Sequence, residues 1–269
     1  MRTRIAPTPS GYLHVGNAVH ASVVAMLARR WGAEIALRID DVDAGRARTE
    51  YVEDIFATLH WLGIEWSLGP TSAGEEFAAL GTGLRHRRLR EALDQALDRG
   101  LPAYACTCSR REAPGILTGG CPGACRQRDV SWTPGVQALR VHVPPGTHVN
   151  VGAVSVDLAG AMGDFVIWRR DDVPSYQLES VVADGDLACD LIIRGEDLLA
   201  SSAAQVYACA WLGVPQLREA RFVHHPLVLD AQGAKLSKSA GHGSAPLPRD
   251  EALLRYVLER ATRVAQAYA

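Results

Sequence analysis

The first forty residues narrow the fold more than any other stretch of the chain. Residues 2–6 read as a short buried strand, ended by Pro7-Thr-Pro-Ser-Gly11. A helix is expected from about Asn17, a residue type suited to a helix N-cap, with Val19, Val23, Leu27 and Trp31 along one face. Gly32 closes it. Over 34–40 the pattern alternates, with Ile35, Leu37 and Ile39 on one side. Strand, tight turn, helix and strand open a nucleotide-binding α/β fold.

The rest of the chain keeps this rhythm with one interruption. Helices are expected at about 46–62 and 85–99. From 101 to about 182, cysteines, prolines and short β-like runs at 138–143, 149–158 and 164–168 replace the alternation, as an insertion would. It resumes with a strand at 190–194, a helix at 202–212, a strand at 221–229 and a last helix from about Arg249. The expected division is a first catalytic half over 1–100 and an inserted subdomain over 101–182. A second catalytic half over 183–245 and a short helical tail over 246–269 complete it.

Composition matters at one place above all. Of 28 basic residues only two are lysine, and they stand three apart in Gly233-Ala-Lys-Leu-Ser-Lys-Ser239. Arginine serves wherever a generic cation suffices, whereas lysine is a compact point charge on a flexible stem. Lys235 and Lys238 in a loop rich in glycine and serine therefore read as phosphate partners. The turn Ala6-Pro-Thr-Pro-Ser-Gly-Tyr-Leu-His-Val-Gly-Asn17 supplies a matching rim: free N–H groups at a helix start, with His14 and Asn17 as side-chain donors. Such donors suit a phosphoryl group that gains charge during in-line displacement.

Four of the six cysteines form two close pairs, Cys106 with Cys108 and Cys121 with Cys125, twelve residues apart. This spacing suits a tetrahedral zinc ion with no open position, hence a structural site, against the alternative of buried thiols. Cys189 and Cys209 read as apolar fillers. The net charge of −2 argues against holding nucleic acid by bulk electrostatics, though it permits a local basic groove. No signal peptide or membrane span is evident, so a cytoplasmic monomer is expected.

The two loops together resemble the signatures of class I aminoacyl-tRNA synthetases. Arg4-Ile-Ala-Pro-Thr-Pro-Ser-Gly-Tyr-Leu-His-Val-Gly-Asn17 is similar to the first signature in its glutamyl-branch form, and Lys235-Leu-Ser-Lys-Ser239 to the second. The resemblance implies a Rossmann-type catalytic domain with a zinc-bearing inserted subdomain. It implies ATP, with Mg2+, bound by His14, Gly16, Asn17, Lys235, Ser237 and Lys238. Of these, His14, Asn17, Lys235 and Lys238 would carry the catalysis. It also implies glutamate bound by Arg4, Ile5, Ala6, Pro7, Thr8, Asp40, Tyr176 and Arg194. The glutamyl branch carries glutamate where this chain has Asp40, so the ammonium contact is one methylene shorter.

The cysteine motif and the thirty residues after Ser239 resemble the glutamyl-queuosine tRNA(Asp) synthetases. Those enzymes lack an anticodon-binding domain and place glutamate on queuosine in the anticodon loop of tRNA(Asp). Cys121 stands where that family has tyrosine, which favours metal binding. Two other readings stay open: the same activation with a non-RNA acceptor, and a retired synthetase acting as a regulatory or RNA-binding module.

Overall fold

The structure, a computed structural model, describes residues 1–40, 47–80, 83–108, 121, 124–128, 130–227 and 245–268, without the side chains of 77–80. Along the chain run β1 (Arg2–Ile5), α1 (Val15–Trp31), β2 (Glu34–Leu37), α2 (Thr49–Trp61), α3 (Ala73–Leu80) and α4 (Leu84–Asp98). Next come β3 (Ala103–Cys106), β4 (Ala138–Val141), β5 (His148–Val151), β6 (Val154–Asp157), α5 (Leu158–Ala161), β7 (Phe165–Trp168) and α6 (Tyr176–Asp186). The last are β8 (Leu191–Gly195), α7 (Leu199–Ala208), β9 (Arg221–His225) and α8 (Glu251–Gln266). No helix among the described residues is long and apolar enough to cross a membrane.

Two compact units result. The first comprises Met1–Gly83, Cys189–Asp197 and Arg221–Ala269; the second comprises Leu84–Ala188 and Leu198–Ala220. Helices α4 and α7 thus pack within the second unit, with the strands of the stretch read from sequence as an insertion.

In the first unit, β1 and β2 pair in parallel with Arg4 opposite Ala36 and Ile5 opposite Leu37. Strands β8 and β9 pair in parallel with Ile193 opposite Val223 and Arg194 opposite His224. Strand β8 lies beside β1, and the Asp190 N–H donates to the Arg2 carbonyl. Side chains alternate along each strand. Ile5, Leu37, Leu191, Ile193 and Val223 therefore share one core with Val19, Val23, Val24 and Leu27 of α1 and Val257, Ala261 and Ala265 of α8. Each such aliphatic side chain, fully buried, contributes about 1.5–3 kcal/mol.

Helix α1 starts earlier than the sequence suggests. His14, not Asn17, is the N-cap, and Asn17 occupies the third helical position, where its side-chain oxygen accepts the His14 N–H at 3.0 Å. Asparagine favours N-caps, but it serves this reciprocal role equally well. Gly32 closes the helix in the left-handed region at φ 63°.

In the second unit, β3, β4 and β7 form an antiparallel sheet, and β5 and β6 form a hairpin. The run expected at 149–158 is this hairpin, reversed at Gly152 with φ 59°. Helix α6 has no counterpart in the sequence reading. Its buried face mixes Gln177, Glu179, Ser180 and Asp184 with Leu178, Val181 and Val182, which dilutes the apolar period.

Candidate active site and cysteine cluster

Ligands of open parallel sheets bind beyond the carboxyl ends of the strands. In the first unit those ends carry the polar residues singled out from sequence. Because Ile5, Ile193 and Val223 face the α1–α8 core, Arg4, Arg194 and His224 take the opposite face of three neighbouring strands. Arg4 is 5% exposed and Arg194 3%, and an Arg4 Nη donates to the Ile193 carbonyl at 3.4 Å. Two buried guanidiniums on the neighbouring strands β1 and β8 form a cationic floor suited to a carboxylate.

Asp40 reaches this region through an extension of the β1–β2 ladder. The Arg38 N–H donates to the Ile5 carbonyl and the Asp40 N–H to the Pro7 carbonyl, both at 3.0 Å. The carboxylate of Asp40 is gripped by Arg38, Nε to Oδ1 at 2.5 Å and Nη2 to Oδ2 at 3.1 Å, and both side chains are buried. Sequence reading missed Arg38; the alternation that places Asp40 beyond β2 places Arg38 two residues earlier on the same face. Ile5 belongs to the core, Ala6 and Pro7 are half-buried, and Thr8 is exposed beside them.

The first turn of α1 holds no acidic residue. Its leading N–H groups lack intrahelical partners and face anions favourably. His14 and Gly16 stand there half-buried, and the preceding Leu13 N–H donates to Asp54 Oδ2 at 2.9 Å. Lys235, Ser237 and Lys238 lie outside the described residues. Tyr176 opens α6 in the second unit, where it is 38% exposed.

Three histidines that sequence reading passed over surround the arginine floor. His20 of α1 and His225 of β9 meet at 2.8 Å, Nδ1 to Nε2, with their rings stacked at 5.1 Å. Burial, His225 and the Arg4 and Arg194 guanidiniums lower the pKa of His20 to about 3. Burial and Arg194 lower that of His224 to about 4, against the pull of Asp197. Both imidazoles are therefore neutral in the physiological range.

In the second unit the four cysteine sulfurs of Cys106, Cys108, Cys121 and Cys125 lie within 4.8 Å of one another. Cys108 Sγ stands 3.8 Å from Cys121 Sγ and 3.6 Å from Cys125 Sγ. A disulfide requires about 2.05 Å, so these are free thiols grouped as the ligands of one ion would be. Burial alone would push the Cys125 thiol up, but hydrogen bonds from the Thr107 N–H and from Cys108 hold it at about 7. Cys106, Cys121 and Cys125 are buried and Cys108 half-buried, so the group could hold a metal ion shielded from solvent. Cys189 and Cys209 are buried elsewhere.

Comparison with known proteins agrees with this arrangement. The family described as "tRNA synthetases class I (E and Q), catalytic domain" matches residues 1–113 and 133–258. The Glutamyl-Q tRNA(Asp) synthetase of Pseudomonas syringae pv. syringae is 38% identical over 254 residues, 93% of this chain and 80% of that protein. The protein of the same name from Burkholderia mallei is 36% identical over 275 residues, 95% of this chain and 88% of its own. Among solved structures, the glutamate-tRNA synthetase of Elizabethkingia anophelis superposes with a TM-score of 0.69 at 24% identity, over 90% of this chain. The chain spans about half of that structure, 53% of its length, and at such identity the likeness bears on the fold alone.

Proposed function

We propose that this chain, which belongs to the catalytic-domain family of class I tRNA synthetases of the E and Q type, activates glutamate with ATP and transfers it to queuosine in the anticodon loop of tRNA(Asp). The observation that carries the choice of amino acid is the buried pair Arg4 and Arg194 at the carboxyl ends of adjacent parallel strands. A carboxylate makes charge-assisted bonds there that a neutral amide cannot reproduce. The name shared by the relatives at 36% and 38% identity supports the acceptor.

The chemistry follows from these positions. Arg4 and Arg194 hold the side-chain carboxylate of glutamate, with Thr8 just past the end of β1. Asp40 spends two acceptor positions on Arg38, and a carboxylate offers about four, so lone pairs remain for the substrate ammonium. An oxygen of the α-carboxylate attacks the α-phosphorus of Mg-ATP; the bond to the bridging oxygen breaks and pyrophosphate leaves with the electron pair. His14, Asn17 and the N–H groups at Gly16 face the phosphates. Lys235 and Lys238, with Ser237 beside them, neutralise the charge that develops on the leaving group. A hydroxyl of the acceptor then attacks the glutamyl carbonyl and AMP departs. Positioning and charge suffice without a dedicated general base.

The four cysteines fit zinc. Zn–S bonds of about 2.3 Å in a tetrahedron separate the sulfurs by about 3.8 Å, close to the spacings around Cys108. Bound there, zinc supplies folding energy to the second unit and takes no part in the reaction.

The reading is tested by ATP–pyrophosphate exchange without tRNA, with glutamate, aspartate and glutamine in parallel. Glutamate alone should support exchange; exchange with none of the three overturns activation, and exchange with glutamine alone overturns the arginine argument. Labelled glutamate should then appear on tRNA(Asp) that carries queuosine and not on the unmodified tRNA. Equal labelling of both overturns the queuosine assignment.

A further inference from the structure

Asp54 lies in the interior of α2, and its side chain is only 2% exposed. A carboxylate so placed is costly unless every oxygen is satisfied. Its two oxygens reach in different directions along the chain. Oδ2 accepts the backbone N–H of Leu13 at 2.9 Å, immediately before His14 caps α1. Oδ1 accepts from the guanidinium of Arg249, which also reaches Thr58 Oγ1 at 3.4 Å, one turn further along α2. Arg249 is held at φ 49°, a conformation that non-glycine residues rarely adopt, directly before Asp250 caps α8 by accepting the Leu253 N–H at 2.8 Å. The two partners are separated by more than 230 positions in sequence and joined through one side chain.

We propose that Asp54 is a positioning residue that ties the turn carrying His14 to the segment re-entering the fold after the lysine loop, so that both phosphate-handling loops are anchored to one carboxylate. This rests on the assignment of those loops to ATP given above. The anchor acts on the reaction through Leu13 and Arg249; Asp54 itself touches no substrate. The ion pair with Arg249 holds the strained backbone at the C-terminal root of the lysine loop, and the bond to Leu13 fixes where the His14 imidazole starts. Removal of either arm should loosen the alignment of ATP while leaving the Arg4–Arg194 floor unchanged.

The test compares Asp54→Asn, Arg249→Gln and the double variant in glutamate-dependent pyrophosphate exchange, with thermal melting of each. Asparagine retains an acceptor for the Leu13 N–H but loses the ion pair. If Asp54→Asn fails to fold, Arg249→Gln approaches the same tie from a side chain that is 27% exposed. We expect kcat to fall at least tenfold in each single variant, a raised KM for ATP and an unchanged KM for glutamate. The double variant should lose no more than the worse single one, because both changes remove one coupling. Unchanged exchange kinetics in Arg249→Gln, multiplicative losses in the double variant, or an equal rise in both KM values overturns the proposal. Wild-type protein assayed alongside separates the two claims: its failure to exchange overturns the ATP reading, whereas wild-type exchange with indifferent variants overturns only the anchor.

Discussion

His20 and His225 form a hydrogen bond whose direction is fixed. A carbonyl can only accept, so His225 Nδ1, 2.9 Å from the Pro226 carbonyl, carries a proton. Neutral His225 then offers Nε2 as an acceptor, and His20 must donate from Nδ1 across 2.8 Å. A second proton on His20 would add charge close to the Arg4 and Arg194 guanidiniums, and one on His225 would be buried. The pair is thus a neutral link between α1 and β9.

A pH dependence of stability follows. The pKa of His20 falls from 6.5 to about 3 on folding, that of His224 to about 4, and that of His225 is also lowered, burial being the largest cause in each. Between those values and 6.5 the unfolded chain binds more protons than the folded one, so stability rises with pH through that window and levels off above it. One such imidazole contributes at most about 1.4 kcal/mol per pH unit, and less where solvent reaches the ring. The melting temperature should fall steadily from pH 6.5 to pH 5. His20→Asn, which can still donate to His225 but does not titrate, should flatten that slope; an identical slope in the variant would refute the assignment to His20.

Arg194→Lys tests the carboxylate fork. Lysine retains the charge but not the two parallel donors, and its ammonium is more strongly hydrated. We expect kcat/KM for glutamate in pyrophosphate exchange to fall about 100-fold, an effect of the size seen when one arm of a buried charged contact is lost. The KM for ATP should stay within twofold. A variant with wild-type glutamate kinetics would remove Arg194 from the pocket.

Local rules made some of the candidate residues visible in the sequence. The four cysteines announce themselves by spacing and the two lysines by their rarity, whereas Arg4 and Arg194 are picked out only by the resemblance of their motifs. Asp54 gives no such signal, since its partners Leu13 and Arg249 lie 41 and 195 positions away and nothing local distinguishes it from a surface acid on α2. Asn17 misled for a different reason: the same residue type serves at the N-cap and, as here, at the third helical position that reaches back to it. Helix α6 escaped because Glu179 and Asp184, each 1% exposed, interrupt its apolar face at positions a surface helix would leave to solvent.

The cysteine group makes a stoichiometric prediction. Purified protein should contain one zinc per chain, with X-ray absorption fitting four sulfur neighbours at about 2.3 Å. Cys108→Ser should lower the zinc content and the melting temperature together, because metal binding and folding are linked. Cys209→Ser, in the same unit but with its thiol turned to the Val206 carbonyl at 3.1 Å, should keep its zinc. Full zinc content in Cys108→Ser would leave three sulfurs sufficient and contradict a four-thiolate site.

Lys238→Arg asks whether charge alone serves at the phosphates. Every other position in this chain that needs a cation uses arginine, so the retention of lysine at 235 and 238 points to a requirement arginine does not meet. A primary ammonium can follow a phosphoryl oxygen as charge moves onto it, whereas a planar guanidinium is matched to a fixed pair of oxygens. Loss of one well-placed donor in a transition state costs about 100-fold or more in kcat. Lys238→Arg should therefore lose exchange activity by at least that factor, with the KM for glutamate unchanged, and Arg194→Lys should show the complementary pattern. Wild-type turnover in Lys238→Arg would mean that the two lysines survive in this arginine-rich chain for a reason unrelated to phosphate.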